Sequence, residues 1–532
     1  MRVSKKPGVY IVEKNAFPSS VVEVASATPA FIGYTAKRPN NQPLRISSFT
    51  EFIQHFGGPP SWLFQLQWAG DGTNKADQPS AAKESDTNER IGEINGYYLN
   101  RVGPAYRLYL AMQLFYQNGG GTCYIVSVGG YNDKEPIRAA SLIAGLGALD
   151  REPEPSLVLV PDAVSLDTAD AFYSVCRQVI AHCGQMKNRM AILDVYQGYK
   201  ALQNPAGGKS VVDRFREEVG TESLSYAAAY YPWLETMIVP ESDLSFQNLT
   251  DDSLERLVEM ITGELSLTVH PENESKSEAV RKERILSLVK QLPDYTLAAL
   301  NSWDDNPNTS GKLTPADLHR TLLTVGHSYS AVMGLLRKYL NQLSPAAAMA
   351  GLYTLVDSTS GVWKAPANLS LNSVIAPSVI LSSEEQEYLN TPLDGKAVNA
   401  IRSFVGEGVL VWGARTLDGN SNNWRYISVR RTVMVLEQSM MTAVKAYTFE
   451  PNQPATWINV KSMLENYLTQ QWKMGALAGA SPTDAFSVRV GLEETMTAED
   501  ILNGIMRVSA LVAVSRPAEF IEITFEHQMR KV

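Results

Sequence analysis

Short, nearly unbroken apolar runs alternating with stretches of helical period constrain this chain more than any other feature. Leu157-Val158-Leu159-Val160 is one run, apolar groups then recur at helical spacing over 169–183, and Met190-Ala191-Ile192-Leu193-Asp194-Val195-Tyr196 is the next. Upstream, residues 106–115 show helical spacing, Asn118-Gly119-Gly120-Gly121 stops them as a glycine cap does, and Cys123-Tyr124-Ile125-Val126-Ser127-Val128 follows as a strand. Strands without a polar face need cover on both sides, and helices between them supply it. The expected class is therefore α/β (α+β overall), with a sheet covered on both faces.

The chain of 532 residues is long for one domain, so it holds three or four domains or one domain with a large insertion. Ala30-Phe31-Ile32-Gly33-Tyr34 reads as the first strand of the body. Residues 70–96 are polar and nearly free of large apolar groups, which predicts a mobile surface insertion. Residues 250–343 read as mainly helical, with 318–343 as one continuous helix. Val409-Leu410-Val411-Trp412 is a buried strand, and 432–446 and 456–472 are amphipathic helices. The second of these carries Trp457, Val460, Leu464, Tyr467, Leu468 and Trp472 on one side. Short β-favouring runs stand near both ends: Gly8-Val9-Tyr10-Ile11-Val12, and Phe520-Ile521-Glu522-Ile523-Thr524-Phe525-Glu526 with period two. A terminal strand exposes hydrogen-bonding edges, and it can complete its own subunit's sheet or a neighbour's; spacing alone leaves these even.

Charge and cysteine usage narrow the function classes. A net charge of −9 gives no support to non-specific nucleic-acid binding, which needs a basic footprint. The 3 cysteines (Cys123, Cys176, Cys183) are too few for a disulfide framework and read as buried thiols. No apolar run approaches a membrane span, and Pro7, Glu13 and Lys14 spoil a secretory signal, so folding in a reducing cytoplasm is expected.

Three motifs suggest chemistry and fall short of it. Gly208-Lys209-Ser210 resembles the end of a phosphate loop, but Gln203 stands where that loop needs glycine. Gly326-His327-Ser328-Tyr329-Ser330 resembles a nucleophile elbow, with Ser330 in place of the second glycine and helix on both sides. Residues 306–317 place Asn306, Asn308, Ser310, Gly311 and Asp317 as a calcium loop would, yet only Asp317 is charged. Thr314 as an N-cap, Pro315 in the first turn and Asp317 closing a capping box account for the same residues. The histidines are scattered, and no catalytic, metal or cofactor-binding residue is expected.

Several stretches together resemble the contractile tail sheath family, which includes phage tail sheaths and those of phage-tail-like injection machines. They are Pro7-Gly8-Val9-Tyr10-Ile11-Val12-Glu13, Thr28-Pro29-Ala30-Phe31-Ile32-Gly33, Ile46-Ser47-Ser48-Phe49-Thr50-Glu51-Phe52 with Phe56-Gly57, and Phe115-Tyr116-Gln117-Asn118-Gly119-Gly120-Gly121-Thr122-Cys123-Tyr124. The C-terminal set is the most specific: Gly361-Val362-Trp363-Lys364-Ala365-Pro366-Ala367-Asn368, Gly408-Val409-Leu410-Val411-Trp412-Gly413-Ala414-Arg415-Thr416-Leu417, Trp424-Arg425-Tyr426-Ile427-Ser428-Val429-Arg430-Arg431 and Phe449-Glu450-Pro451-Asn452. Residues 157–162, Ala191-Ile192-Leu193-Asp194-Val195-Tyr196 and Tyr230-Tyr231-Pro232-Trp233 look most like sheaths of extracellular contractile injection systems. The sheath of a contractile-tailed phage is the second reading and a type VI secretion-like sheath the third.

This resemblance implies a tail-sheath fold in which N- and C-terminal segments build an inner domain around a large outward α/β insertion. The implied division is a linking arm over 1–25, body over 26–134, outer insertion over 135–395, inner domain over 396–515 and linking strand over 516–532. It implies a structural subunit, not an enzyme, forming stacked hexameric rings around an inner tube and contracting when a baseplate triggers it. Its partners would be itself, the tube protein, and baseplate and terminal cap proteins. No cofactor, direct nucleic-acid contact or membrane insertion is implied, and assembly in the cytoplasm would precede release as an extracellular particle. The resemblance tips the terminal strands towards exchange, making Val9, Tyr10, Ile11, Val12, Ile521, Ile523 and Phe525 inter-subunit arm residues. A sheath that holds a tube and later releases it favours charged contacts over a large apolar interface. The faces carrying Glu437 and Lys445, or Lys461 and Lys473, are the tube-facing candidates, and an ordinary solvated helix face fits either equally well.

Overall fold

The computed structural model describes residues 21–37, 40–68, 90–132, 135–202, 208–267, 276–295 and 313–520. The chain divides into two compact units, one of 26–360 with 364–430, the other of 361–363 and 431 onward together with the segment up to 25.

The larger unit is built on strands β1 (Pro29–Thr35), β2 (Leu44–Ile46), β6 (Cys123–Gly130), β7 (Leu157–Leu159), β8 (Met190–Asp194), β9 (Ala227–Tyr231), β13 (Asn399–Phe404) and β14 (Gly408–Trp412). They form one eight-stranded sheet in the order β14-β13-β9-β8-β7-β1-β6-β2. Its interior pairings are parallel, and the two outermost, β13 with β14 and β2 with β6, are antiparallel. Alternate residues of β1 explain the absence of a polar face. Ala30, Ile32 and Tyr34 join a core with the helices Ala139–Ala148 and Ala169–Met186. Phe31 points the other way, its ring 5.0 Å from Phe115 of the helix Leu108–Gln117.

Two buried carboxylates lock helices to this sheet. Asp162 accepts from Tyr34 N at 2.6 Å, Arg107 N at 2.5 Å and Leu108 N at 2.9 Å. It joins the end of β1 to the start of helix Leu108–Gln117, where orphan N–H groups and the helix dipole favour an anion. Gly33 permits the approach, because a Cβ there would lie 2.5 Å from Asp162 Oδ2. Asp194, at the end of β8, accepts from Ala346 N at 2.8 Å at the start of helix Ala346–Ser360.

A small antiparallel sheet in the same unit corrects one expectation. β3 (Leu63–Trp68), β4 (Arg90–Ile94) and β5 (Tyr97–Val102) pair in the order β3-β5-β4. The segment read as an insertion over 70–96 therefore includes a strand from Arg90, while 70–89 lies outside the described residues. Asn95 and Gly96 both have positive φ, 49° and 80°, and form the two-residue hairpin turn between β4 and β5.

The helical region also differs from expectation. Instead of one helix over 318–343 there are two, Pro315–Val325 and His327–Leu340, broken at Gly326. Glu264 restarts the chain, its carboxylate accepting from His327 N and Ser328 N at 2.9 Å each and from Ser328 Oγ at 2.8 Å. These bonds outweigh burial and hold its pKa below the ordinary glutamate value. The boundaries implied at 134/135 and 395/396 fall inside the larger unit, since β1 pairs with both β6 and β7, and β9 pairs with β13.

The smaller unit packs helix Pro454–Met474 and the later part of helix Ile427–Val444 against β15 (Phe486–Arg489) and β16 (Ser509–Val512). Its core includes Leu436, Val460, Met463, Leu464, Tyr467, Leu468, Leu477 and Val488. Pro454 opens the longer helix and Gly475, at φ 95°, closes it. Val21 packs on this core, Val24 N donates to Ser439 Oγ at 3.1 Å and Gln471 Nε2 donates to Glu23 Oε2 at 3.0 Å.

Candidate assembly surfaces

The motifs that suggested chemistry resolve into helix caps. Ser210 Oγ accepts from Asp213 N and donates to Asp213 Oδ2, opening helix Val211–Glu218, while Lys209 pairs with Glu217 at 2.6 Å. Thr314 Oγ1 accepts from Asp317 N at 3.2 Å and donates to its carboxylate at 2.7 Å, so these residues of the calcium-like loop form an N-cap; 306–312 lie outside the described residues. Ser328 engages Glu264, and His319 Nδ1 lies 2.6 Å from Tyr329 Oη. The three cysteines are buried, and burial raises the Cys123 and Cys183 thiols to about 12, far from a reactive thiolate. Among the described residues, no group of three or more His, Cys, Asp or Glu could hold a metal ion. No helix among them is long and apolar enough to cross a membrane.

The smaller unit instead offers unfinished structure. β15 and β16 pair Phe486 with Val512, Ser487 with Leu511, Val488 with Ala510 and Arg489 with Ser509. Among the described residues each strand of this sheet has one strand partner, which leaves each with an outer edge. The ladder is set by period-two text: Val508, Ala510, Val512 and Val514 pack on the core, while Leu511 between them is 60% exposed. Asp500 caps the preceding short helix Ala498–Leu502 through Thr497 and pairs with Arg507 at 3.0 Å. The Arg507 hydrogen bond, with those from Thr497, pulls its carboxyl down to about 2. This alternation, legible in Phe486-Ser487-Val488-Arg489-Val490 and in 508–514, went unused in the sequence reading.

The sequence-derived arm residues Val9, Tyr10, Ile11, Val12, Ile521, Ile523 and Phe525 lie outside the described residues. Of the tube-facing candidates, Glu437, Lys445 and Lys473 are exposed and Lys461 is half-buried. Sequence reasoning missed the exposed apolar groups in their midst. Met441, four residues from both Glu437 and Lys445, is 60% exposed, and Ile458, three residues before Lys461, is 65% exposed. Phe449 is wholly exposed on left-handed backbone, at φ 73°.

Residues 420–528 match the phage tail sheath C-terminal domain. In three dimensions the chain resembles the anti-feeding prophage helical sheath in its contracted state, at 25% identity and TM-score 0.56, with 99% of this chain and 100% of the other covered. The chain has a tail-sheath fold, and its C-terminal region matches the tail sheath family. The sheath complex of the extracellular contractile injection system PVC, contracted, shares its fold at 24% identity and TM-score 0.57, with 99% of each chain covered. The tail sheath protein of Vibrio phage KVP40 is 24% identical over 178 residues, so this chain spans about a quarter of the length of that curated relative (25%). The mixed sheet-and-helix architecture of this chain is thus the tail-sheath fold of contractile injection systems, and these relatives are structural proteins.

Proposed function

We propose that this sheath protein polymerises as stacked hexameric rings around an inner tube, and that its contraction drives the tube through a target envelope. Its role in this reading is mechanical, without catalysis or cofactor. The partners are other copies of itself, the tube protein, and baseplate and cap proteins; assembly takes place in the cytoplasm before release as an extracellular particle. Segments at the two chain ends act as linking arms, and 135–395 projects outward from an inner assembly domain.

The observation that carries this reading is the pairing of supply and demand for strands. Among the described residues the two-stranded sheet β15–β16 has two outer edges, and the chain ends hold two β-favouring runs, 8–12 and 520–526. A strand of about four added residues makes about four backbone hydrogen bonds, each worth roughly 0.5–1.5 kcal/mol net. One such arm is weak, but every copy in a lattice contributes, and tethering raises the effective concentration for re-pairing. The charged helix faces bearing Glu437 and Lys445, or Lys461 and Lys473, touch the tube. Deleting 1–12, or replacing Ile521 and Ile523 with proline, should leave the chain folded but abolish long tubes in negative-stain images. Wild-type-length tubes from both variants would overturn arm exchange. Globular particles alone from the wild type, supplied with tube and baseplate, would overturn the sheath polymer itself.

A further inference from the structure

The larger unit holds a cleft of about 460 Å³ that the sheath role does not use. Its walls come from segments following β7, β8 and β9 and from the turn before helix Leu108–Gln117. It therefore opens outside the carboxyl ends of parallel strands, beside the point between β1 and β7 where the strand order reverses. Open α/β sheets characteristically bind ligands at such a place. Fold position alone does not make a site, so the side chains decide.

Arg101, Arg107, Lys200 and Arg214 line the cleft, against the single carboxylate Asp167, in a chain whose net charge is −9. Arg107 is the decisive one. It is only 9% exposed, its Nε has no hydrogen-bond partner, and its guanidinium carbon lies 5.1 Å from the centre of the Tyr339 ring. The nearby Asp162 carboxylate accepts from the backbone N–H of Arg107 and also feels the charge of its guanidinium. A guanidinium this buried gains from a further anion beside it, and Arg107 lines the cleft where one could sit. The others have partners: Arg101 donates to the Gly103 carbonyl, Lys200 to Gln197 Oε1 at 2.6 Å, and Arg214 pairs with Asp170 at 3.4 Å. Those on Lys200 and Arg214 are exposed contacts that a multivalent anion can displace.

We propose that this cleft binds a small multivalent phosphate anion, with Arg107 as its anchor and Lys200 and Arg214 closing over its outer charges. Guanidinium forks match phosphate oxygens, and the volume exceeds what one inorganic phosphate fills. The inference is independent of arm exchange and of the tube-facing surface.

The test is calorimetry on the full-length, unpolymerised protein with tripolyphosphate, ATP, inorganic phosphate and citrate. One-to-one saturable binding of tripolyphosphate is expected, with citrate at least about tenfold weaker. Tighter binding of ATP than of tripolyphosphate identifies a nucleotide source, equal binding identifies the phosphate chain, and both support the site. Arg107→Gln should weaken tripolyphosphate at least about tenfold. Because that residue is buried, Lys200→Glu on the exposed rim provides a second reading and should weaken binding without lowering Tm. Absence of saturable binding, citrate binding as tightly as tripolyphosphate, or affinity unchanged in Lys200→Glu with a folded protein would overturn the proposal.

Discussion

The two units solve the problem of a sheet's edges in different ways. In the larger one, six interior strands are flanked by antiparallel β14 and β2, and residues of 368–371 bond along β14: Asn368 N donates to Val411 O at 2.7 Å and Leu371 N to Val409 O at 3.1 Å. In the smaller one, strands of four residues each form the sheet, and among the described residues both are edges. A two-stranded sheet is marginal unless something packs on it or extends it. The larger unit thus covers its β14 edge from within, while among the described residues neither β15 nor β16 has a second strand partner.

The largest expected effect tests self-sufficiency in the larger unit. Asp162→Ala strips three buried N–H groups of their acceptor, and each orphan costs about 1–3 kcal/mol, so a loss of about 4 kcal/mol or more is expected by urea denaturation. A loss below about 1 kcal/mol would mean that the sheet–helix lock has been misread. In the smaller unit, Leu464→Ala at a site 1% exposed should cost about 3 kcal/mol. Little change there would mean that this unit is poorly packed before assembly.

Next comes pH, where the units respond with opposite signs. Burial pushes Asp194 up from 3.8 to about 6 despite its bonds to Ala346 N and Ser344. Its stabilising protonation is fully present below about 4 and is lost as pH rises through about 6, a swing on the order of 3 kcal/mol. Asp194→Asn, which stays neutral and keeps an acceptor for Ala346, should therefore improve relative to wild type between pH 4 and pH 7. Equal differences at both pH values would contradict the burial argument. Asp500 runs the other way: its carboxyl is depressed to about 2, so its contribution is present above 3.8 and is lost as pH falls towards 2. The smallest effect is local. Thr314→Ala should cost about 1 kcal/mol as a lost N-cap, equally with calcium or chelator, whereas a calcium-dependent difference would restore the loop reading.

Much of the larger unit was legible because its code is local: apolar runs at 157–160 and 190–196, helical spacing over 169–183, and the glycine stop at 119–121 all stand in the sequence. The misses depended on partners far along the chain. Arg90–Ile94 looks polar because its strand is held by the Asn95-Gly96 turn and β5, while Glu264 breaks a helix 63 residues away at His327. The family resemblance pointed to terminal arms, but the acceptor ladder at 486–489 and 508–514 is short and alternates weakly enough to pass as loop. Arg107 was invisible as a cleft residue because its burial and missing partner exist only once β7, β8 and the helix at 108 converge.

The central claim is that β15–β16 is finished by strands from other copies. Hydrogen exchange, read amide by amide over 486–489 and 509–512 in the free subunit and in assembled sheath, tests it most directly. Amides on the outer edges of both strands should exchange rapidly in the free chain and become protected on assembly, while subunits lacking 1–12, supplied with tube and baseplate, should form no long tubes and should keep the exchange of the free chain on one edge. Tubes that form while these amides exchange as fast as in the free subunit would contradict the account.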